Sequence, residues 1–194
     1  MAAEHFYNRF SFFYPLVDLF LKPQKRRLFQ EINSLPSGDL LEIGVGNGSH
    51  LHLYRLHRIT AIDTSLKMLE TAKKRQPANM KLLHMNGENL LFQNQRFDYV
   101  ILSHVLAVAD RPEKLLEEVH RVLKPGGQVF ILNHFTPQNW LRHVDRALQA
   151  VSKLLHVKSV FYVSQLNALK KFTQVREVNV GKLSYFKLLI YARL

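Results

Sequence analysis

The sequence predicts an open α/β sheet, mostly parallel, with helices on both faces. Three observations predict it. Apolar segments of strand length alternate with helical patterns through the middle of the chain. The first clear segment, Leu40-Leu41-Glu42-Ile43, runs into glycines at 44, 46 and 48. A second, Ile59-Thr60-Ala61-Ile62, ends in Asp63, twenty-one residues after Glu42. A glycine-rich turn after strand one and an acid after strand two form the nucleoside-binding layout of such a sheet.

The elements follow in order. Phe6, Phe10, Phe13, Val17 and Phe20 recur at helical spacing, with a break expected at Pro15. Lys22-Pro23-Gln24-Lys25-Arg26-Arg27 reads as a basic turn before a short helix to about Leu35. Strand one is expected at 39–43, a helix at 48–56, strand two at 58–62 and a helix at 65–75 that Pro77 ends. Strands three and four are expected at 80–84 and 97–102. A strongly patterned helix at 112–123 opens on proline and closes at Lys124-Pro125-Gly126-Gly127. Strand five covers 128–132. Trp140, Leu141, Val144, Leu148, Val151 and Leu155 make one face of a helix over 140–156. A helix at 164–171 precedes two strands, near 173–180 and 183–192, joined through Gly181 as an antiparallel hairpin.

At 194 residues the chain suits one domain: a helical cap over 1–35, with a possible membrane contact, and a catalytic core over 36–194. With no cysteine, disulfides, thiolate metal sites and a cysteine nucleophile are excluded. No metal is expected. The start of the chain has no signal-peptide pattern, and no apolar run reaches the roughly 18 residues of a membrane-spanning helix. A cytoplasmic protein, soluble or peripheral, is expected. The net charge of +12 favours polyanions or anionic membranes as partners. Residues 1–27 hold five Lys/Arg against two acids, and residues 140–176 hold seven against one.

The spacing of the glycines narrows the ligand. A dinucleotide turn needs Gly-x-Gly-x-x-Gly under a pyrophosphate. Here the pattern is Gly44-x-Gly46-x-Gly48, with Ser49 where the third glycine would stand. Glu42, before the turn, would repel a pyrophosphate and suits a cationic end such as an amino-acid ammonium. Asp63 suits ribose hydroxyls. An amino acid joined to a nucleoside without phosphate describes S-adenosylmethionine.

Five ordered motifs over residues 40–132 carry a resemblance. They are Glu42-x-Gly44-x-Gly46-x-Gly48, Ile62-Asp63-x-Ser65-x-x-Met68-Leu69, Asn86-Gly87-Glu88-x-Leu90, Phe97-Asp98-x-Val100 and Arg121-Val122-Leu123-Lys124-Pro125-Gly126-Gly127. Together they resemble the class I S-adenosylmethionine-dependent methyltransferases. The resemblance implies a Rossmann-like sheet of seven strands with an antiparallel last strand. It also implies that the glycine turn with Glu42 backs the methionine part of the cofactor and that Asp63 holds the ribose. Ser65 and Met68 would lie beside the adenine, with Leu66 on the same wall and Thr64 as a further cofactor contact, and the Asn86-Gly87-Glu88 turn would cover the ring. Many relatives have Asp where Asn86 stands. Ser103 and His104 would lie at cofactor and substrate contacts after strand four.

Asn133-His134-Phe135, Tyr7-Asn8-Arg9 with Tyr14, and the late Tyr185-Phe186-Lys187-Leu188 resemble a narrower group. These are bacterial phospholipid N-methyltransferases, which convert phosphatidylethanolamine to phosphatidylcholine, and their quinone-methylating relatives. The basic, aromatic N-terminal segment also suits an interfacial anchor on the inner face of a membrane. His134 is the candidate proton acceptor, with a backbone-bonded structural histidine as the alternative. Tyr7 and Tyr14 could turn oxygens or ring faces toward the acceptor nitrogen, or could pack in the core. Asn133, Arg142 and Tyr185 complete the candidate substrate contacts, with Arg146, Lys158 and Lys182 as weaker phosphate holders.

The competing readings are a quinone or other small-molecule methyltransferase, a nucleic-acid methyltransferase, and a non-enzymatic cofactor- or membrane-binding module. The Asn/Asp-Pro-Pro-Tyr/Phe tetrapeptide of nucleic-acid amino-methylating enzymes is missing after strand four, where Ser103-His104-Val105-Leu106 stands. A monomer is expected.

Overall fold

The computed structural model describes residues 14–134, 166–180 and 186–194, with side chains described over 24–133 and in the two later segments. The expected helix at 140–156 and the link through Gly181 lie outside the described residues. Seven strands form one sheet: β1 (Asp39–Ile43), β2 (Arg58–Asp63), β3 (Met80–His84), β4 (Phe97–Ser103), β5 (Leu123–His134), β6 (Phe172–Val180) and β7 (Phe186–Arg193). Their order is β3-β2-β1-β4-β5-β7-β6. The first five pair in parallel, whereas β7 is antiparallel to both β5 and β6. The expected Rossmann-like sheet with its antiparallel last strand is the one observed. Because β1, β2, β4 and β5 run the same way, their C-terminal ends share one edge, where open α/β sheets place their ligands.

Among the described residues, three helices flank the sheet: α1 (Tyr14–Asn33), α2 (Leu66–Lys73) and α3 (Pro112–Val122). Strand alternation sends neighbouring residues to opposite faces. Leu41, Ile43, Val100 and Leu102 pack with Leu115, Leu116, Val119 and Val122 of α3. Leu40, Ile59, Ala61 and Ile101 pack with Leu28, Phe29 and Ile32 of α1 and Ala72 of α2. Burying each large apolar side chain stabilises the fold by about 1.5–3 kcal/mol.

Four expectations are corrected. The basic turn at 22–27 is helix: α1 runs unbroken through Pro23. Pro15 falls in its first turn, where the missing N–H costs nothing. Arg27 pairs with Glu31 one turn on, at 2.8 Å, and the buried stripe of Leu28, Phe29 and Ile32 outweighs the turn signal. The helix expected at 48–56 is only a 3-10 turn, Leu51–Leu53. Gly48 is left-handed (φ +67°), and few residues remain before β2, so no longer helix develops. The helix expected at 164–171 is likewise a 3-10 turn, Asn167–Lys171; the Glu113 carboxylate takes the backbone N–H groups of Asn167 and Ala168 at its start. Finally, β5 begins at Leu123, straight after α3, rather than at 128. The Pro-Gly-Gly segment bulges out of the pairing, since Phe97 opposes Leu123 while Tyr99 opposes Gln128.

Candidate functional site

The two acids singled out in the sequence end β1 and β2 on the same face. Glu42 continues the face of Leu40, and Asp63 that of Ile59 and Ala61, toward α1. The turn between them is tied down by the backbone: Gly44 and Val45 donate to the Ile62 carbonyl at 2.8 and 3.1 Å. Gly44, Gly46 and Gly48 all have positive φ, where a side chain is strained. Two of the three glycines are also required by packing. A Cβ on Gly44 would lie 2.5 Å from Val105 Cγ2, and one on Gly48 would lie 2.9 Å from Ala72 Cβ.

Asp63 is 8% exposed. Its Oδ2 accepts from Gly46 N at 2.8 Å and its Oδ1 from Ser65 N at 2.9 Å. The carboxylate thus fastens the glycine turn to the start of α2. Burial pushes its pKa above the usual aspartate value; N–H groups of Ser65, Gly46 and Thr64 oppose the rise and the Glu42 charge adds to it. Ser65 caps α2, its hydroxyl accepting from Met68 N at 3.3 Å, and Met68 is buried behind it. Thr64 accepts at its carbonyl from the exposed His84, whose Nε2 lies 2.9 Å away. Leu66 stands exposed on the first turn of α2.

Glu42 is 1% exposed, and each of its oxygens has a partner. His50 Nε2 lies 2.7 Å from Oε1, and the Tyr54 hydroxyl donates to Oε2 at 2.9 Å. Burial first, and then the Glu42 charge, hold the Tyr54 hydroxyl well above its usual pKa. His50 and Tyr54 were not legible as site residues, because they reach Glu42 through an irregular turn with no fixed period.

The 86–90 turn sits beside these ends. Asn86 Oδ1 accepts from Glu88 N at 2.9 Å, which closes the turn, and Met85 N donates to the Asp63 carbonyl at 3.1 Å. Gly87 leaves room for Ile43 and Leu115: a Cβ there would lie 2.6 Å from Ile43 Cγ2. The Glu88 carboxylate accepts from Arg111 N and Nε at 2.8 and 3.0 Å, so it ties this turn to the start of α3. Two further residues hold the loop and were read only as parts of a motif or not at all. Glu118 accepts from Leu90 N at 2.7 Å, and Arg121 donates to the carbonyls of Leu90 and Phe92 and to Asn94. Their (i, i+3) spacing on α3 was the available signal.

Ser103 ends β4 on the α1 side, its buried Oγ without a hydrogen-bond partner among the described residues. A polar atom left so at a sheet's ligand edge points to a ligand. His104 follows at φ +61°, a left-handed conformation costing about 1–2 kcal/mol for a residue with a Cβ. This turn brings its ring edge-on to Phe186, 5.8 Å between centroids. Asn133 is buried near the end of β5. His134 closes β5, paired with Phe186 on β7, and Tyr14 opens α1; only their backbone is described. Tyr7, Arg142 and Tyr185 lie outside the described residues, as do Arg146, Lys158 and Lys182.

This arrangement fits an uncharged nucleoside linked to an amino acid. Two buried carboxylates beneath one turn oppose a phosphate. They offer acceptors to hydroxyl and ammonium donors, since an ionised carboxylate has about four lone-pair sites and only some are used here. Among the described residues there is no cluster that could hold a metal ion and no helix long and apolar enough to cross a membrane.

Comparison with known proteins agrees. The model of a methyltransferase domain matches residues 41–131. The chain is 31% identical over 178 residues to a phosphatidylethanolamine N-methyltransferase of Cereibacter sphaeroides, covering 87% of this chain and 86% of that protein. It is 38% identical over 82 residues to a demethylmenaquinone methyltransferase of Staphylococcus epidermidis, covering 41% of this chain and 34% of that one. A crystal structure of a SAM-dependent methyltransferase from Thermotoga maritima superposes with a TM-score of 0.74 at 22% identity, over 98% of this chain and 99% of that one. The motifs, the sheet and these relatives together show that the chain belongs to the S-adenosylmethionine-dependent methyltransferase family and is an enzyme using that cofactor.

Proposed function

We propose that the enzyme N-methylates phosphatidylethanolamine, and its partly methylated intermediates, at a membrane surface toward phosphatidylcholine. The observation that carries this reading is the similarity to a phosphatidylethanolamine N-methyltransferase along nearly the whole of both chains. The aromatic start of the chain with Arg9 and Lys22 supports it, as an anchor for the anionic inner face of a membrane.

When bound, S-adenosylmethionine would supply an electrophilic methyl carbon to an acceptor nitrogen, the nitrogen–carbon bond forming as the carbon–sulfur bond breaks and its electron pair stays on sulfur. Asp63 would hold the ribose hydroxyls on its remaining lone pairs. Glu42 would hold the methionine ammonium, with the backbone of Gly44 to Gly48 backing the methionine part. Ser65 and Met68 would hold the adenine, with Thr64 as a further cofactor contact and the Asn86-Gly87-Glu88 turn as its cover. Ser103 and His104 would contact cofactor and acceptor. Rate acceleration comes from holding nitrogen, carbon and sulfur in line. His134 accepts the proton of the amine, or passes it to water. Tyr7 and Tyr14 would offer oxygens or ring faces to the acceptor nitrogen and its methylated cation. Asn133, Arg142 and Tyr185 would be the headgroup contacts.

A quinone precursor is the second reading, favoured by the local 38% identity to a demethylmenaquinone methyltransferase. The test is transfer of labelled methyl from S-adenosylmethionine to phosphatidylethanolamine vesicles, with demethylmenaquinone in a parallel reaction. Label in the lipid amine is the expected result. Label in the quinone alone would replace the lipid reading with the second.

A further inference from the structure

Glu42 is held in place by groups that no motif names. His50 and Tyr54 each take one of its oxygens. Behind His50, Lys25 of α1 places Nζ 3.5 Å from Nδ1. Lys25 and His50 are 7% and 5% exposed. A carboxylate only accepts and an ammonium only donates. His50 therefore carries its proton on Nε2, facing Glu42, and accepts on Nδ1 from Lys25. Phe29 of α1 walls in both rings. Its centroid lies 4.8 Å from that of Tyr54, edge-on, and 5.6 Å from that of His50.

We infer that Lys25, His50 and Tyr54 are positioning residues for the cofactor: a relay from α1 that orients Glu42 toward the methionine ammonium. The inference rests on the reading of Glu42 as the ammonium acceptor and adds what makes it one. A lysine paired directly with Glu42 would compete with the cofactor's own cation. With an imidazole in between, Lys25 donates to Nδ1 and holds the ring in place while its charge stays a ring's width from the carboxylate. Tyr54 fixes the second oxygen without adding a charge. Each oxygen keeps acceptor capacity for the incoming ammonium. Since Lys25 belongs to α1, that helix also sets the geometry of the cofactor site.

The test compares two ligands, S-adenosylhomocysteine and its analogue with hydrogen in place of the amino group. The wild-type chain should bind the first about tenfold more tightly, as a charge-assisted contact requires. His50→Leu and Tyr54→Phe should weaken S-adenosylhomocysteine about fivefold or more and leave the analogue within about twofold. KM for S-adenosylmethionine should rise while kcat at saturation holds, and His50→Gln, which keeps an N–H donor, should recover most of the loss. Nitrogen NMR of the wild-type chain should show the His50 proton on Nε2, and Lys25→Met should shift the Nδ1 resonance, which loses its donor, while the proton stays on Nε2. Equal weakening of both ligands, or a proton on Nδ1, would overturn the relay and leave Glu42 as the ammonium acceptor. A wild-type chain that fails to distinguish the two ligands would overturn the reading of Glu42 and the relay with it. Should His50→Leu not fold, the wild-type nitrogen spectrum decides.

Discussion

Asp63 meets opposing demands on one carboxylate. Burial and the nearby Glu42 favour its neutral form, while three backbone N–H groups favour its charged form. The balance raises its pKa above 3.8. An acid whose pKa rises on folding adds stability at low pH and loses that contribution as pH rises through the folded value. Ribose binding needs the charged form, so the sign for affinity is opposite. As pH falls, S-adenosylhomocysteine affinity should begin to drop above the usual aspartate range, which calorimetric titration over pH 4 to 7 would show. At Gly44 the demand is steric. Gly44→Ala puts a Cβ in a left-handed residue, 2.5 Å from Val105 Cγ2. The expected loss is about 2–4 kcal/mol by urea unfolding, from backbone strain and overpacking together. Adding Val105→Ala should recover the packing part and leave the strain. The two acids and the glycines were legible because chemistry and spacing coincide there. His50 and Tyr54 were not, since an irregular turn delivers them.

The loop from Asn86 to Asn94 shows how an element holds the site from a distance. Its polar groups end on α3, through Glu88 to Arg111 and through Glu118 and Arg121 to Leu90, Phe92 and Asn94. Arg121 holds the Glu118 carboxyl below its usual pKa. That contribution to stability is present above the unfolded carboxylate value and is lost as pH falls through the lower folded value. Arg121→Met leaves two carbonyls and a carboxylate without their donor. With Arg121 partly exposed, the loss should be about 1–2 kcal/mol. Hydrogen exchange should speed up over residues 86–95 first, and S-adenosylhomocysteine affinity should fall with it. The apolar runs of β1 to β4 and the pattern of α3 between Pro112 and Lys124-Pro125-Gly126-Gly127 were legible because buried strands are continuously apolar and an amphipathic helix leaves a periodic trace. α1 was misread because Pro23 and a run of cations look like a turn, whereas the buried face that overrides them is set by the sheet.

Across the molecule, parallel strands gather Glu42, Asp63 and Ser103 at one edge, and β7 returns between β5 and β6 so that Phe186 reaches the end of β5. The number of strands, the parallel body and the antiparallel closing pair were legible from the run of strand and helix patterns; the strand order was not, since it is set by pairings between segments far apart in the sequence. The acceptor was less legible. Its candidate residues, Tyr7, Tyr14, His134, Arg142 and Tyr185, are scattered from one end of the sequence to the other and share no fixed spacing. The charge of +12 belongs to this scale too. Flotation with vesicles containing anionic lipid should capture the protein at low salt and release it as screening shortens to about 3 Å near 1 M. Neutral vesicles should capture less. Calorimetric titration of S-adenosylhomocysteine into the wild-type and Asp63→Asn chains tests the cofactor site most directly. Saturable one-to-one binding by the wild type, weakened about ten- to a hundredfold in Asp63→Asn, is the predicted result. Equal affinity in the two chains, or no binding by the wild type, would contradict it.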